Sequence, residues 1–312
     1  MVVLNESDTH IPANVATIGC FDGVHRGHRD LIAQVCNEAQ KSKMESLLIT
    51  FSNHPRSVLQ PDYCPQLLSS GSEKLALLAK TGVDMCVPLF FTKEMSQISA
   101  FQFMKTFLQE RFNVHTLLIG FNHHFGKPNG ETIEDYRTFG RELGINVIQA
   151  HELLFDGEPI SSSFIRRLLQ CGNVAKAAVL LGYTYKIDGH VVAGHQIGRR
   201  LGFPTANIQP NDSMKLLPKN GGYAVRVSLS GKQFPGMLYI GNRPTFNSLP
   251  ERTIEVNILH FNGNIYGQEI SIEFLDFLRD EQRFNSTEDL RRQLNKDLAL
   301  TESIVKSYHQ PS

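Results

Sequence analysis

The residues best equipped for chemistry in this chain stand in one short run, Gly19-Cys20-Phe21-Asp22-Gly23-Val24-His25-Arg26-Gly27-His28. An apolar stretch, Val15-Ala16-Thr17-Ile18, leads into it. The residues that follow place Leu31, Ile32, Val35, Cys36 and Ala39 on one helical face. The order is therefore strand, tight turn, helix, with two histidines at the helix start. The first N–H groups of a helix lack partners within it and meet the positive end of its dipole, a setting that suits a phosphate. Histidine rings there add hydrogen bonds and, when protonated, charge. No third ligand at a recognisable spacing supports reading the H-x-x-H pair as a metal site. Cys20 has no base placed to activate it and reads as packing.

The elements around this motif alternate. Strand-like runs at 47–51, 83–89, 115–119 and 145–148 are separated by helical patterns at 72–80, 96–112 and 133–143. That rhythm predicts a parallel sheet covered on both faces, with ligands at the carboxyl ends of its strands. Three further polar segments are expected on the same rim: Ser52-Asn53-His54-Pro55, Gly120 to Gly126, and Ile160-Ser161-Ser162-Ser163-Phe164-Ile165-Arg166. His54 before proline reads as a turn residue. Ser162, Ser163 and Arg166 open a helix, where hydroxyls can cradle phosphate oxygens and a guanidinium can grip a polyphosphate in two-point fashion.

After Gly182 the pattern changes to short β-rich runs parted by Gly, Asn and Pro clusters, which predicts a small antiparallel barrel. A final helix is expected to start near Ser286 or Thr287. The domain boundary is placed after Gly182, giving residues 1–182 and 183–312. The densest motif of the second half runs from Gly194 through Gly198, Arg199, Pro204 and Thr205 to Asn207; it fits neither a Walker loop nor a dinucleotide fingerprint. Pro204 orders the backbone before Thr205 and Asn207, whose side-chain oxygens are hard ligands suited to Mg²⁺ beside a phosphate. Glu255 alternates with Ile254, Val256 and Ile258, so its side chain faces away from the core. It is either an exposed strand carboxylate or a general base for a hydroxyl nucleophile.

Composition narrows the function class. The 312 residues balance 31 basic against 31 acidic side chains, so nothing points to bulk binding of nucleic acid or a membrane surface. No signal peptide and no membrane-spanning run is read. The five cysteines are scattered without any C-x-x-C pair, which fits a reducing cytosol. Small-molecule partners are expected, and the oligomeric state is left open.

The motif pair His25-Arg26-Gly27-His28 and Ile160 to Arg166 resembles the HxGH and IS-S-T/S-x-x-R signatures of the nucleotidyltransferase superfamily. The longer run from Gly19 to His25 resembles the adenylyltransferase module of the bacterial bifunctional riboflavin kinase/FAD synthetase family. Downstream, Gly194 to Asn207, Gly241-Asn242-Arg243-Pro244-Thr245-Phe246, Glu255 and Leu278-Arg279-Asp280-Glu281-Gln282 follow the order of that family's kinase module.

The resemblance implies a Rossmann-like α/β adenylyltransferase domain followed by an antiparallel barrel with a C-terminal helix. It also implies an enzyme that converts riboflavin to FMN and FMN to FAD, using ATP and Mg²⁺. In the first domain it implies ATP binding by Gly19, Phe21, Asp22, Gly23, His25, His28, Asn122, Ser162, Ser163 and Arg166. In the second, Gly194, Gly198, Arg199, Thr205 and Asn207 would hold ATP, Thr205 and Asn207 would hold Mg²⁺, Glu255 would be the base, and Arg279 and Phe284 would contact flavin. Two segments depart from the family pattern. Phe51-Ser52-Asn53-His54-Pro55 stands for F-x-P-H-P, and Asn122-His123-His124-Phe125-Gly126 stands for D-F-R-F-G. Two alternatives remain at this point: a kinase with an inactive first domain, and a flavin- or nucleotide-binding regulator without catalysis.

Overall fold

Apolar runs without alternation make strands buried on both faces, as a helix-covered parallel sheet requires. In the computed structural model six strands form one sheet, the four inner ones largely buried: Val2–Val3 (β1), Asn14–Ile18 (β2), Glu45–Phe51 (β3), Met85–Leu89 (β4), Val114–Ile119 (β5) and Asn146–Gln149 (β6). Residues 1–5, 8, 10–60, 62, 64–120, 130–193, 202–243 and 251–308 are described. The strand order is β1-β4-β3-β2-β5-β6 and every neighbouring pair is parallel. The chain works outward from β2 through β3 to β4, then returns to the other side of β2 for β5. The switch point where a ligand crevice opens thus lies beyond the carboxyl ends of β2 and β5.

Helix Arg26–Ser42 (α1) packs against β2 and β3 through Ile32, Val35 and Ala39. Short helices Pro55–Leu59 (α2) and Gly71–Leu78 (α3) follow β3. The helix expected over 96–112 begins at the Ser99 cap as Ala100–Phe103 (α4) and continues as a π-helix, Met104–Arg111. Helix Ile133–Leu143 (α5) has a Thr132–Asp135 capping box, and Gly144 at φ 70° supplies its left-handed end. Strand β1 and the hairpin Leu154–Phe155 (β7) with Glu158–Pro159 (β8) were not foreseen; each of the three strands has two residues, too few for a periodic pattern. Ile160 to Arg166 therefore follows a hairpin and does not end a strand of the parallel sheet.

Two compact units make up the chain, Met1–Ser161 and Ser162–Ser312. The second holds helices Ser162–Gln170 (α6) and Val174–Leu181 (α7). Six antiparallel strands follow: Lys186–Val192 (β9), Ala206–Pro210 (β10), Gly221–Leu229 (β11), Lys232–Arg243 (β12), Glu251–Ile258 (β13) and Glu269–Arg279 (β14). They close into a barrel in the order β10-β13-β12-β11-β14-β9, and Thr287–Ser307 (α8) packs on β11, β12 and β14. Tyr185, Tyr223 and Phe274 fill the core with buried rings. At Gly189 a Cβ would come within 2.4 Å of the Gln209 carbonyl, so β9 can approach β10 only without a side chain there. Helices α6 and α7 fall in this unit although the sequence places the boundary after Gly182. The Lys219 N–H donates to the Leu169 carbonyl at 2.9 Å, α7 packs on β14, and Gly172 lies against the Phe277 ring.

Candidate functional sites

The first site is built on the turn between β2 and α1. His25 is the N-cap of α1, and its Nδ1 accepts from the His28 N–H at 3.3 Å. A neutral ring that accepts at Nδ1 carries its proton on Nε2, which becomes a donor. The rings of His25 and His28 stack with centroids 3.6 Å apart, and Phe21 meets His28 edge-on at 5.1 Å. The first turn of α1 contains no acidic residue, so the helix dipole there is left for an anion. Gly27 leaves room for this packing: a Cβ would lie 3.2 Å from the Ile160 carbonyl and 3.3 Å from the His25 ring. At Gly19 a Cβ would lie 3.1 Å from the Phe21 ring.

The turn itself is strained. Phe21 and Val24 take φ of 48° and 38°, and only Gly23, at 79°, adopts such a conformation freely. Asp22 holds it. Its carboxylate accepts from the Leu68 N–H at 3.0 Å and from the N–H and hydroxyl of Ser69 at 3.0 and 3.3 Å. The Ser69 hydroxyl in turn accepts from the Gly23 N–H at 2.9 Å. These contacts make Asp22 a support of the turn.

Lys74, which the sequence reading did not single out, reaches the same rim. Its Nζ donates to the carbonyls of Phe51 at 2.6 Å and Cys20 at 3.3 Å, joining the ends of β3 and β2. Burial pushes its pKa down. Cys20 packs on the core as expected. His54 caps α2 through Nδ1, and Asn53 exchanges two hydrogen bonds with the Phe91 backbone, at 2.9 and 2.8 Å. Ser162 begins α6, with Ser163 exposed and Arg166 half-buried in its first two turns. Asn122, Gly194, Gly198 and Arg199 lie outside the described residues.

The second site is a row of cross-strand neighbours on the barrel. Asn207 on β10 stands opposite Glu255 on β13, Glu255 opposite Tyr239 on β12, Tyr239 opposite Gly222 on β11, and Gly222 opposite Arg279 on β14. Directly opposed residues present their side chains to the same face of a sheet. Ile254, Val256 and Ile258 are buried, so Glu255 faces outward as its alternation foretold. The Thr205 hydroxyl donates to Glu255 Oε2 at 3.3 Å. Asn257, also missed in the sequence, fixes the approach to β10 by donating to the Pro204 carbonyl at 2.6 Å. Arg279 is no loose surface residue: its Nε donates to the buried Asp297 Oδ2 at 2.8 Å, and its guanidinium lies 5.7 Å from the Phe284 ring centre.

A helix-covered parallel sheet followed by a closed antiparallel barrel agrees with what the chain resembles. A family model for FAD synthetase matches residues 7–164 and one for riboflavin kinase matches residues 181–305. Bifunctional riboflavin kinase/FMN adenylyltransferases match along nearly their whole length. The Pseudomonas fluorescens protein is 33% identical, covering 93% of each chain. That of Escherichia coli K12 is 34% identical over 91% of this chain and 90% of its own. The chain belongs to the bifunctional riboflavin kinase/FMN adenylyltransferase family. The Listeria monocytogenes member is 36% identical, over 91% of this chain and 90% of its own. A solved structure described as a macrolide-efflux protein from Streptococcus pneumoniae superimposes with a TM-score of 0.88, at 28% identity, over 99% of this chain and 100% of its own. Efflux belongs to that protein's description. Among the described residues of this family member, no helix is long and apolar enough to cross a membrane.

Proposed function

We propose that the two activities of this bifunctional enzyme run at the two sites just described, adenylyl transfer at the β2–α1 turn and phosphorylation on the Asn207–Glu255 row. The enzyme makes FMN from riboflavin and ATP, then FAD and pyrophosphate from FMN and ATP. In the adenylyl step, an oxygen of the FMN phosphate attacks the α-phosphorus of ATP in line, and pyrophosphate leaves. His25 and His28 hold the phosphates at the α1 N-terminus; a triphosphate role for Ser162, Ser163 and Arg166, which open the second compact unit, rests on the motif resemblance alone. Gly19, Phe21, Asp22 and Gly23 shape the turn that presents the histidines. Nothing in this turn needs to serve as a covalent nucleophile, which suits direct transfer.

In the kinase step, Glu255 takes the proton of the ribityl 5′-hydroxyl as that oxygen attacks the γ-phosphorus and ADP leaves. Thr205 and Asn207 are the residues that would hold Mg²⁺. Their fit rests on the donor set: a hydroxyl that donates to Glu255 keeps lone pairs for a hard cation, and an amide oxygen stands on the adjacent strand. Bound there, the ion would offset charge on the phosphates. Arg279 and Phe284 are assigned to the flavin. Functional domains are proposed as 1–182 and 183–312, and the five free cysteines support a cytosolic enzyme.

The observation that carries this reading is the placement of the stacked His25–His28 pair at the sheet's switch point, in a compact unit other than the one that holds Glu255. Separate sites predict separable losses. With riboflavin, ATP and Mg²⁺ supplied, His28→Ala is expected to form FMN and no FAD. Glu255→Gln is expected to form FAD from added FMN but no FMN from riboflavin. Loss of both activities in either variant would contradict the assignment.

A further inference from the structure

The segment between β14 and α8, residues 280–286, joins no strand ladder and is held by side chains. Lys219 Nζ meets the Asp280 carboxylate at 2.5 Å, and Arg279 lies against Phe284. A third hold comes from the catalytic row: the Tyr239 hydroxyl donates to Glu281 Oε1 at 2.7 Å. Tyr239 is the cross-strand neighbour of Glu255. Its ring lies along β12 over Gly241, where a Cβ would come within 2.4 Å of it. On its other side stands Gly222, which has no side chain to fill the space before Arg279.

We propose that Tyr239 is a positioning residue for riboflavin phosphorylation, a strut that sets the flavin-side segment 280–286 at a fixed distance from Glu255. The proposal rests on Glu255 being the base and on Arg279 and Phe284 facing the flavin. A nucleophilic hydroxyl at one end of riboflavin must reach Glu255 while the ring system is held at the other end. The Tyr239–Glu281 bond ties the two ends of that span together. Burial first, and then the Glu281 carboxylate, push the Tyr239 hydroxyl far above its ordinary pKa, so it stays a donor across the working pH range.

The test is steady-state riboflavin phosphorylation by the full-length chain with Mg²⁺-ATP. Removing a part-exposed bond to a carboxylate should raise the riboflavin KM about fivefold in Tyr239→Phe. The kcat should stay within about twofold and the KM for ATP should not move. Glu281→Ala should give the same shift, and the double variant should be no worse than either single one, because both remove one bond. FAD formation from added FMN serves as the control for an intact chain. An unchanged riboflavin KM in Tyr239→Phe, equal rises in both KM values, or effects that multiply in the double variant would each overturn the strut. Full phosphorylation by Glu255→Gln would overturn the base assignment instead, and the Tyr239 link would then be judged on its KM shift alone.

Discussion

Replacing Asp22 with asparagine keeps the side chain's size and turns one of its two oxygens into an NH₂ group. In the native turn the Leu68 N–H lies 3.0 Å from both oxygens, so an NH₂ must face that donor whichever way the amide sits. A hydrogen bond from a backbone N–H to a carboxylate is worth about 1.5–3 kcal/mol. Losing one and weakening those from Ser69, at a residue only 6% exposed, should cost about 2–3 kcal/mol. For a unit of this size each kcal/mol moves the midpoint by about 2–4 °C, so a fall of about 4–12 °C is expected. The assay is thermal inactivation of the full-length chain, followed separately as FAD formation from FMN and as riboflavin phosphorylation. Only the first should shift, and the KM for ATP well below the midpoint should stay within about twofold. A wild-type midpoint combined with a tenfold rise in that KM would show Asp22 binding nucleotide and refute the supporting role.

Lys74→Met keeps the stem but removes the ammonium that joins the Cys20 and Phe51 carbonyls; FAD formation should lose at least about tenfold in kcat while FMN formation is unchanged. Arginine should not rescue it, since a planar guanidinium cannot replace a compact ammonium between two strand ends. Because burial lowers the Lys74 pKa and the bonded form is the protonated one, FAD formation should decline with rising pH below the usual lysine range; a flat profile through that range would count against Lys74. Arg279→Ala takes a charged donor from Asp297, at 6% exposure, and leaves it the neutral amide of Gln293 at 2.8 Å. Urea unfolding of the barrel unit should show a loss of about 3 kcal/mol, partly recovered in Arg279→Ala/Asp297→Ala.

Much of this architecture could be read from local patterns. The run Val15 to Ile18 followed by the helical spacing of Leu31 to Ala39 announces a strand and a helix, and alternation around Glu255 sets its direction. Those signals are local because strand and helix periods are local. Lys74, Tyr239, Asn257 and Asp297 could not be found in that way, since what matters in each is a partner far along the chain. Lys74 meets Cys20 across 54 positions, and Tyr239 meets Glu281 across 42. Strand β10 was hidden for a different reason: Ala206-Asn207-Ile208-Gln209-Pro210 has one buried apolar side chain and a closing proline, and its pairing comes entirely from β9 and β13. The attachment of α6 and α7 to the second unit likewise depends on Lys219 and Phe277, which no local pattern in the helices reveals.

The barrel's closure governs how the Asn207–Glu255 row tolerates change in chain length. A strand at a free edge can slip by one residue against a single neighbour, but each of these strands has two partners, and a slip of one must be met by the others around the ring. One step would also exchange Glu255 with Ile254 or Val256, placing a carboxylate in the core and an isoleucine or valine on the surface. The alignment of Asn207, Glu255, Tyr239, Gly222 and Arg279 is thus a property of the whole ring. Single-residue deletions within β12 or β13, even several positions from Glu255, should be as damaging to phosphorylation as loss of the Glu255 carboxylate, while insertions at the Ser230–Gly231 turn leave every register intact.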